Sequence, residues 1–385
     1  MRDPLSVSFG MKLPADHSVI AIRPGGADPD QLTPISKTRP RRMVDCSLLQ
    51  RLAAGGRSRL STIGKITAAA LALAAFAAPA AAQPWPSRPL TMVVPFAAGG
   101  STDAIARILA EGLRNELGQP VIVENVGGAG GTTGTLRVAR AAPDGYQLVL
   151  GNVGTHAQAQ SLYRRPPYDA AADFAPVMLV TDQAFALVVR KDFPAGDLRG
   201  FIAYAKAEQG KLLFGSAGAG GSNHLACVLL NAAAGIGATH VPYRSGAHAM
   251  QDLISGRIDY QCPSAPVALP QIAAHTVKAL AILSRNRSPS LPALASAHEQ
   301  GLSGFDIPSW YAVFLPKGTP AAIVSRLHAA TDAALDTPSI QGRLEEIGCD
   351  RISPERRSPE YLGKFVASEI EKYAGAIKAS GISVD

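Results

Sequence analysis

The protein has 385 residues, of which 37 are Lys or Arg and 30 are Asp or Glu, giving a formal net charge of +7. Hydrophobic residues make up 47% of the chain and charged residues 17%, which is typical of a folded globular protein and excludes disorder for most of it. The 37 Gly and 29 Pro follow no fixed period, which excludes a collagen-like or low-complexity chain.

The excess positive charge is confined to the N-terminal part of the chain. Residues 1–82 contain 11 Lys or Arg and 5 Asp, so residues 83–385 contain 26 basic and 25 acidic side chains, a net charge of +1. Within residues 83–385, the basic residues also do not alternate with aromatic residues. A nearly neutral chain without such a pattern is not typical of a nucleic-acid-binding protein, and we predict no nucleic-acid partner.

The first element in chain order is an export signal. Residues 66–82 (ITAAALALAAFAAPAAA) carry no charge, follow a basic stretch and end in small residues. This pattern predicts a signal peptide that is cleaved after Ala82, and hence a periplasmic protein. An uncleaved transmembrane anchor is the alternative, but the run is short and rich in Ala. Residues 1–42 form an N-terminal extension of no clear pattern, and a start at Met43 would give a signal of ordinary design.

Three cysteines follow the signal: Cys227, Cys262 and Cys349. An odd number leaves at least one free thiol even in an oxidising compartment. No Cys-x-x-Cys or Cys/His ligand spacing is present, so we predict no metal site. We expect three buried free thiols, with one disulfide between an unassigned pair as the alternative.

Downstream of the signal, short apolar runs alternate with segments of helical periodicity. The first pair is clear: LTMVV (90–94) predicts a strand, and residues 103–117 place five apolar residues on one helical face before Gly118 ends the helix. Strands are also predicted at 121–124, 146–151, 177–180, 186–190, 212–215, 239–241, 258–261, 278–283 and 311–315. Further helices are predicted just before Pro143 and at 197–208, 222–234, 246–255, 320–336, 338–347 and 358–380.

This alternation predicts an α/β fold with largely parallel sheets covered by helices. Residues 83–385 also exceed the length that one hydrophobic core usually fills, so we expect two domains.

Three loops of the predicted fold are rich in Gly, Ser and Thr: residues 96–102, 127–134 and 215–222. Each follows a predicted strand and leads into a predicted helix. Ligands of open α/β sheets bind beyond the carboxyl ends of strands, where free N–H groups at helix N-termini favour anions. The loops therefore predict an anion site, although glycines that only form tight turns are the alternative.

Signatures of catalysis and cofactor binding are absent from the sequence. It has no G-x-x-x-x-G-K-[ST] loop, no complete dinucleotide-binding fingerprint, no G-x-S-x-G nucleophile motif and no HExxH pair. We predict no catalytic residue, no bound metal and no cofactor, and expect a binding protein rather than an enzyme.

Several segments carry a family resemblance: VVPFAAGGSTDAIAR (93–107), VENVGGAGGTTG (123–134), PDGYQLVLGNVGTHAQAQSLY (143–163), FGSAGAGGSNHLA (214–226) and VPYRSGAHAMQDLISGRIDY (241–260). They resemble the Bug family of periplasmic solute-binding proteins, also known as the TctC-type receptors of tripartite tricarboxylate transporters. The resemblance continues through WYAVFLPKGTP (310–320) to the C-terminal helix and covers residues 86–385 in order.

The resemblance implies a fold like that of type II periplasmic binding proteins, with two lobes and two interlobe crossovers. The first lobe would contain residues 84–186 and 306–385, and the second lobe residues 187–305, after an N-terminal extension and signal peptide at 1–82.

The resemblance also implies a small carboxylate ligand held by loops of both lobes. Carried over by position, its ligand-binding residues are Phe96, Ala97, Ser101, Thr102, Asp103, Gly130, Gly131, Thr155, His156, Ser216, Ala217, Ser222, Asn223, His224 and Arg244. For Asp103 we expect capping of backbone N–H groups more than ligand contact. For Arg244, a solvated loop charge or an ion pair between the lobes is the alternative.

One segment departs from the family pattern. Many relatives carry a carboxylate after the GRIDY strand, whereas this chain has Cys262-Pro263-Ser264. Because such a carboxylate would pair with a ligand amine, we expect simple or aromatic carboxylates rather than amino acids as ligands.

The family implies a transport receptor that acts as a monomer and whose closed form docks on the membrane permease subunits of a tripartite transporter. A receptor that presents its ligand to the sensor of a two-component system is the alternative.

Overall fold

The computed structural model describes residues 85–383, which form two five-stranded sheets and ten α-helices. The predicted signal peptide and its cleavage after Ala82 lie outside the described residues. Within residues 85–383, no helix is both long and apolar enough to span a bilayer.

The second sheet is built from one continuous part of the chain, whereas the first combines two parts that flank it in sequence. The first sheet has the spatial order β2-β1-β3-β10-β4 and contains β1 (Leu90–Val94), β2 (Val121–Asn125), β3 (Gln147–Asn152), β4 (Phe174–Ala184) and β10 (Pro308–Pro316). The second has the order β7-β6-β8-β5-β9 and contains β5 (Ala186–Arg190), β6 (Leu213–Ser216), β7 (Thr239–Pro242), β8 (Tyr260–Gln261) and β9 (Val277–Ile282).

The helices connect and cover these strands. They are α1 (Ser101–Leu117), α2 (Thr132–Ala139), α3 (Ala159–Leu162), α4 (Leu198–Ala207), α5 (Ser222–Ala234), α6 (Gly246–Ile254), α7 (Ala265–Ala273), α8 (Ala321–Asp336), α9 (Pro338–Glu346) and α10 (Pro359–Ser380). The α/β fold class with two interlobe crossovers is therefore confirmed, whereas the residue boundaries given for the lobes stay a prediction. We call the part around the first sheet the first lobe and the part around the second sheet the second lobe.

The strands are largely parallel, as predicted, with one reversed strand in each sheet. β1 pairs in parallel with β2 and β3, and β6 with β7 and β8, whereas β10 and β5 are antiparallel to their neighbours. The reversed strands are those on which the chain enters a sheet from the other one. Only Phe185 separates β4 from β5, so β5 starts at the side where its neighbours end and must run in the opposite direction.

The periodicity of the strands and helices fits the hydrophobic cores. Leu90, Met92 and Val94 of β1 are fully buried against α1 on one face of the first sheet, and Val93 is buried on the other face. Helix α1 ends as predicted, because Gly118 adopts the left-handed conformation (φ 69°) and donates its N–H to Arg114 O.

The core on the inner side of the first sheet continues into the second lobe and includes residues of helix α10. Trp310 of β10 donates its indole N–H to the buried Glu369 of α10 at 3.0 Å, and Tyr373 of α10 donates its hydroxyl to Pro308 O at 3.1 Å. The last helix is therefore fastened to the strand that returns from the second lobe.

Several helical elements escaped prediction from the sequence. Helix α7 was missed because Pro266 and Pro270 interrupt its pattern, although proline is tolerated near a helix start. The π-helical turn at Gly154–Gln158 and α3 were also missed, since a segment this short has no measurable period.

The expectation of three free thiols is wrong. Cys227 of α5 and Cys262, which directly follows β8, form a disulfide with their Cα atoms 5.5 Å apart. Cys349 is free and buried, and its Sγ accepts a hydrogen bond from Gln183 Nε2 at 2.9 Å. Burial raises the pKa of Cys349 to about 12, which keeps it a thiol. Sequence spacing could not reveal the pairing, because it depends on where α5 packs against the second sheet.

This assignment predicts the number of reactive thiols. For residues 83–385, we expect an aromatic disulfide reagent to find no thiol in the native protein, since Cys349 is only 4% exposed. In denaturant, one thiol should react without reductant and three after reduction. Three thiols in denaturant without reductant would contradict the disulfide.

Candidate functional site

The loops that leave the carboxyl ends of the strands in both sheets face one another. Between them lies a cavity of about 40 Å³, which we call the inner cavity. Its walls are formed by Phe96, Gly100, Ser101, Thr102, Asn152, Phe185, Ala217, Ser222, Asn223, Ser245, Gly246, Pro263, Ser264, Val267 and Tyr311. Both lobes contribute, so any molecule held there contacts both.

Four helices begin at the wall of the inner cavity. Ser101 is the first residue of α1 and Ser222 the first of α5, while Ser245 and Ser264 are the N-caps of α6 and α7. The first backbone N–H groups of a helix have no partner within the helix, and the helix dipole places partial positive charge there. Four such ends produce a positive potential without a charged side chain.

The inner cavity also presents side-chain donors that have no acceptor in the described chain. Asn223 accepts a hydrogen bond from Ala217 N on Oδ1, and Asn152 accepts one from Thr155 N on Oδ1 (both 3.1 Å). Their Nδ2 groups, and the hydroxyl of Ser222, form no hydrogen bond within residues 85–383, and the three residues are at most 8% exposed. Because these donors line the cavity and have no partner in the described chain, they are available to an acceptor held there.

No charged side chain lines the inner cavity among the residues described. Burial raises the pKa of Tyr311, despite opposing interactions with neighbouring hydroxyls such as Ser264, so its phenol stays protonated. The lining therefore offers neutral donors and helix ends to an anion. A cation would find no carboxylate there.

A second cavity, the outer cavity, adjoins the inner one at Phe96 and Ala217 and has a volume of about 990 Å³. Its lining includes Ala97, Asn125, Gly130, Tyr163, Tyr243, Arg244 and His248. Arg244 is exposed and is the only Lys or Arg in the wall of either cavity within residues 85–383. The outer cavity can accept the part of a ligand that does not fit into the inner cavity.

The Gly-rich loops of the two lobes touch each other beside the outer cavity. A Cβ atom at Gly130 (φ +62°) would lie 2.6 Å from Ala219 O and from the carbonyl carbon of Gly220, both in the second lobe. Nearby, Ser101 Oγ and Ser264 Oγ are 2.6 Å apart across the lobes. The structure thus has closed lobes, and glycine at position 130 permits the close approach.

Nine of the residues carried over from the family resemblance lie at the two cavities. Six line the inner cavity: Phe96, Ser101, Thr102, Ala217, Ser222 and Asn223. The outer cavity adds Ala97, Gly130 and Arg244.

Asp103 does not line either cavity and instead supports the first loop. Its carboxylate accepts hydrogen bonds from Gly99 N, Arg107 Nε and Asn125 Nδ2, each at 3.0 Å. Burial alone would raise the pKa of Asp103, but the hydrogen bonds from these three partners outweigh it and lower the pKa. The expected capping of a backbone N–H group is found at Gly99.

Thr155 and His156 are also outside the cavities, because the π-helical turn after β3 directs them into the core. His156 is fully buried, its ring stacks on Phe314 at 3.9 Å between centroids, and its Nδ1 lies 2.9 Å from Thr155 Oγ1. Thr155 Oγ1 accepts the N–H of Asn152 at 3.0 Å. Thr155 therefore positions Asn152, which does line the inner cavity, and His156 supports Thr155 from the core.

The remaining three predicted residues support the Gly-rich loops from behind. Ser216 Oγ lies 2.7 Å from His240 Nε2, and His224 Nδ1 accepts the N–H of Gly220 at 3.3 Å. Burial, with a smaller contribution from His240, lowers the pKa of His224 to about 3, so the ring stays neutral. Gly131 has no free space beside it, since a Cβ there would meet Phe96 and Thr155 at 2.8 Å.

Several cavity residues were missed from the sequence. They are Gly100, Asn152, Phe185, Ser245, Gly246, Pro263, Ser264, Val267 and Tyr311. Ser245 and Ser264 had a usable signal, because serine before a helix is a common N-cap. Phe185 and Tyr311 carry no local signal, since they reach the cavity only through the crossovers between the sheets.

Comparison with known proteins identifies the family. A family model described as "Tripartite tricarboxylate transporter family receptor", TctC, matches residues 105–382. The chain belongs to this family.

Solved structures agree with this TctC-family assignment. The chain is 39% identical to the periplasmic binding protein BugD, with a TM-score of 0.74 over 78% of this chain and 99% of that one. It is also 39% identical to MatC from Rhodopseudomonas palustris with bound malate, with a TM-score of 0.74 over 76% of this chain and 100% of that one. The R. palustris protein Rpa4515 with adipate is 33% identical, with a TM-score of 0.74 over 78% and 99% of the chains. The predicted Bug/TctC resemblance is therefore confirmed.

The buried imidazole of His156 generates a pH prediction. Burial lowers the pKa of His156 to about 3, whereas an unfolded histidine has a pKa of about 6.5. Between these values the unfolded state binds a proton that the folded state does not, so stability is lost as pH falls from about 6.5 towards 3. We expect His156→Phe to reduce this loss by about 1.4 kcal/mol per pH unit between about pH 5.5 and 4. Urea unfolding at several pH values measures it, and parallel profiles for the two proteins would contradict it.

Proposed function

We propose that the protein is a periplasmic solute receptor that binds a small carboxylate between its two lobes and delivers it to a tripartite tricarboxylate-type transporter. The carboxylate group lies in the inner cavity and accepts hydrogen bonds from both lobes. The role is binding and release, with no chemical conversion of the ligand.

The set of free side-chain donors that line the inner cavity is the observation that supports this proposal most. Asn152, Ser222 and Asn223 each present a donor to a space that no acceptor of the described chain fills. A carboxylate supplies about four acceptor positions in a small volume, which matches several convergent donors. Hydrogen bonds to an ionised acceptor are also roughly twice as strong as those between neutral groups.

The size of the ligand follows from the two cavities. An inner cavity of about 40 Å³ suits one carboxylate and its nearest carbon atoms, and the rest of the ligand extends into the outer cavity of about 990 Å³. Relatives bound to malate and adipate support a dicarboxylate. Arg244 at the wall of the outer cavity can pair with the second carboxylate.

The chemistry of the lining favours a ligand without an amino group. The segment after the GRIDY strand has no carboxylate here but Cys262-Pro263-Ser264, with Cys262 in the disulfide, and neither cavity has an Asp or Glu in its described wall. An ammonium group would therefore lose its hydration without gaining a negatively charged partner. We expect simple or aromatic carboxylates to bind more tightly than amino acids.

Delivery depends on lobe closure. A ligand stabilises the closed form only when it binds that form more tightly than the open one, and contacts from both lobes supply this difference. The closed monomer then docks on the membrane permease subunits of the transporter. The match of residues 105–382 to the receptor family of such transporters supports this step.

The direct test is a binding screen on residues 83–385. Malate, adipate, succinate, benzoate and aspartate are added in thermal-shift assays, because a ligand at concentration [L] stabilises the folded state by RT ln(1 + [L]/Kd). We expect a concentration-dependent rise in Tm for at least one carboxylate that lacks an amine, confirmed by calorimetric titration. A screen in which no carboxylate raises Tm, or only aspartate does, would overturn the proposal.

Replacing Asn223 by Asp tests the inner cavity. The variant keeps the acceptor for Ala217 N but loses the free Nδ2 donor and adds a negative charge beside the ligand. We expect Asn223→Asp to weaken carboxylate binding at least about 100-fold, equivalent to about 2.7 kcal/mol. The matched control is Asn286→Asp at an exposed position, which should change Kd less than twofold. Equal affinities for the two variants would place the ligand elsewhere.

Replacing Gly130 by Ala tests the contact between the lobes. The added Cβ meets the backbone of the second lobe at 2.6 Å, so closure is hindered and we expect carboxylate Kd to rise about 10-fold or more. Gly118→Ala is the control, because its φ of +69° brings the same backbone strain but nothing lies within 4 Å. Calorimetric titration measures both, and a similar Kd for the two variants would contradict the role of Gly130 in closure.

A further inference from the structure

The disulfide lies directly behind the wall of the inner cavity. Cys227 is in the second turn of α5, the helix whose first residues are Ser222 and Asn223. Cys262 is followed immediately by Pro263 and Ser264, which form another part of the wall. Both cysteine side chains are completely buried.

The bond therefore connects two of the four helix starts around the ligand space. On one side it holds α5, and on the other it holds the segment that leads into α7. This second segment follows β8, a strand of only two residues, so few ladder hydrogen bonds fix its position. In this segment, Pro263 O accepts a hydrogen bond from Ala186 N at 3.0 Å. The bond holds the segment to the start of β5 and not to α5.

Ser264 makes the position of this segment important for closure. Its Oγ lies 2.6 Å from Ser101 Oγ of the first lobe, and its carbonyl accepts the N–H groups of Val267 and Ala268 at the start of α7. A shift of Ser264 away from α5 would separate the hydroxyl from the amide donor of Asn223. A carboxylate could then no longer be bound by both at once.

We propose that Cys227 and Cys262 are positioning residues for the ligand site: their disulfide sets the spacing between the N-termini of α5 and α7, so that Ser222, Asn223 and Ser264 converge on one carboxylate. This inference rests on the proposed function. It assigns the bond a role in affinity, in addition to the stability that any cross-link provides by restricting the unfolded chain.

The two roles are separable, because a loss of stability lowers Tm whereas Kd is measured on the folded protein. We expect the variant Cys227→Ala/Cys262→Ala to bind its carboxylate, as identified with the wild-type protein, at least 10-fold more weakly at a temperature where both are folded. Cys349→Ala is the control, since Cys349 is a buried cysteine in contact with Gln183 and lines neither cavity. Its Kd should stay within twofold of wild type.

A double-mutant cycle connects the disulfide to Ser264. Ser264→Ala should weaken binding about 10-fold when the disulfide is present and less than threefold when it is absent, because the hydroxyl is then no longer held in place. Equal effects in the two backgrounds, or an unchanged Kd without the disulfide, would overturn the inference.

Two further arms keep the test decisive. If the double variant does not fold, the disulfide of the wild-type protein is reduced with dithiothreitol instead. Dithiothreitol supplies two electrons and is oxidised to a cyclic disulfide, while Cys227 and Cys262 become thiols. Kd is then compared before and after reduction, with thiol titration to verify the state, and the same 10-fold weakening is expected. A wild-type protein that binds no carboxylate would instead refute the proposed function itself.

Discussion

The structure depends on one arrangement: four helices begin at a cavity between the lobes, and the amide nitrogens of Asn152 and Asn223 face it without a partner in the described chain. An acceptor placed between these donors contacts both lobes only when they are closed, so its hydrogen bonds would favour the closed arrangement. The amides of Asn152 and Asn223 show this most clearly, because each uses its oxygen within the fold and leaves its nitrogen for the cavity. Under the proposed function, ligand binding and lobe closure are therefore coupled through the same hydrogen bonds.

The path of the chain makes this coupling mechanically possible. Phe185 alone separates β4 of the first sheet from β5 of the second sheet, and it also lines the inner cavity. The return crossover lies beside it: Leu283 N donates to Phe185 O at 2.7 Å, and Ile307 N donates to Leu283 O at 3.1 Å. The two connections thus form one narrow junction next to the ligand space, where a small rotation moves an entire lobe.

The Gly-rich loops illustrate what could be predicted and where the prediction failed. Three loops with helices behind them indicated an anion site at the carboxyl ends of the strands, and nine of the residues carried over do lie at the cavities. Gly130, however, is needed for contact between the lobes, and His156 and His224 support loops from within the core. Sequence position placed these residues near the site, but only packing decides which side chain faces the ligand and which faces the core. The same limit applied to Cys227 and Cys262, whose pairing depends on how α5 packs.

The sequence by itself determined the α/β class, most strands and helices, the absence of a nucleic-acid-binding pattern and the family. The charge of +7 belongs mostly to residues 1–82, and residues 83–385 are nearly neutral. These properties follow from local periodicity and composition, which are readable along the chain. The tertiary structure alone decided that Ser245, Ser264 and Tyr311 join the site, that β5 and β10 are reversed, and that a disulfide lies behind the cavity. Each of these depends on contacts between segments far apart in sequence, which no local pattern records.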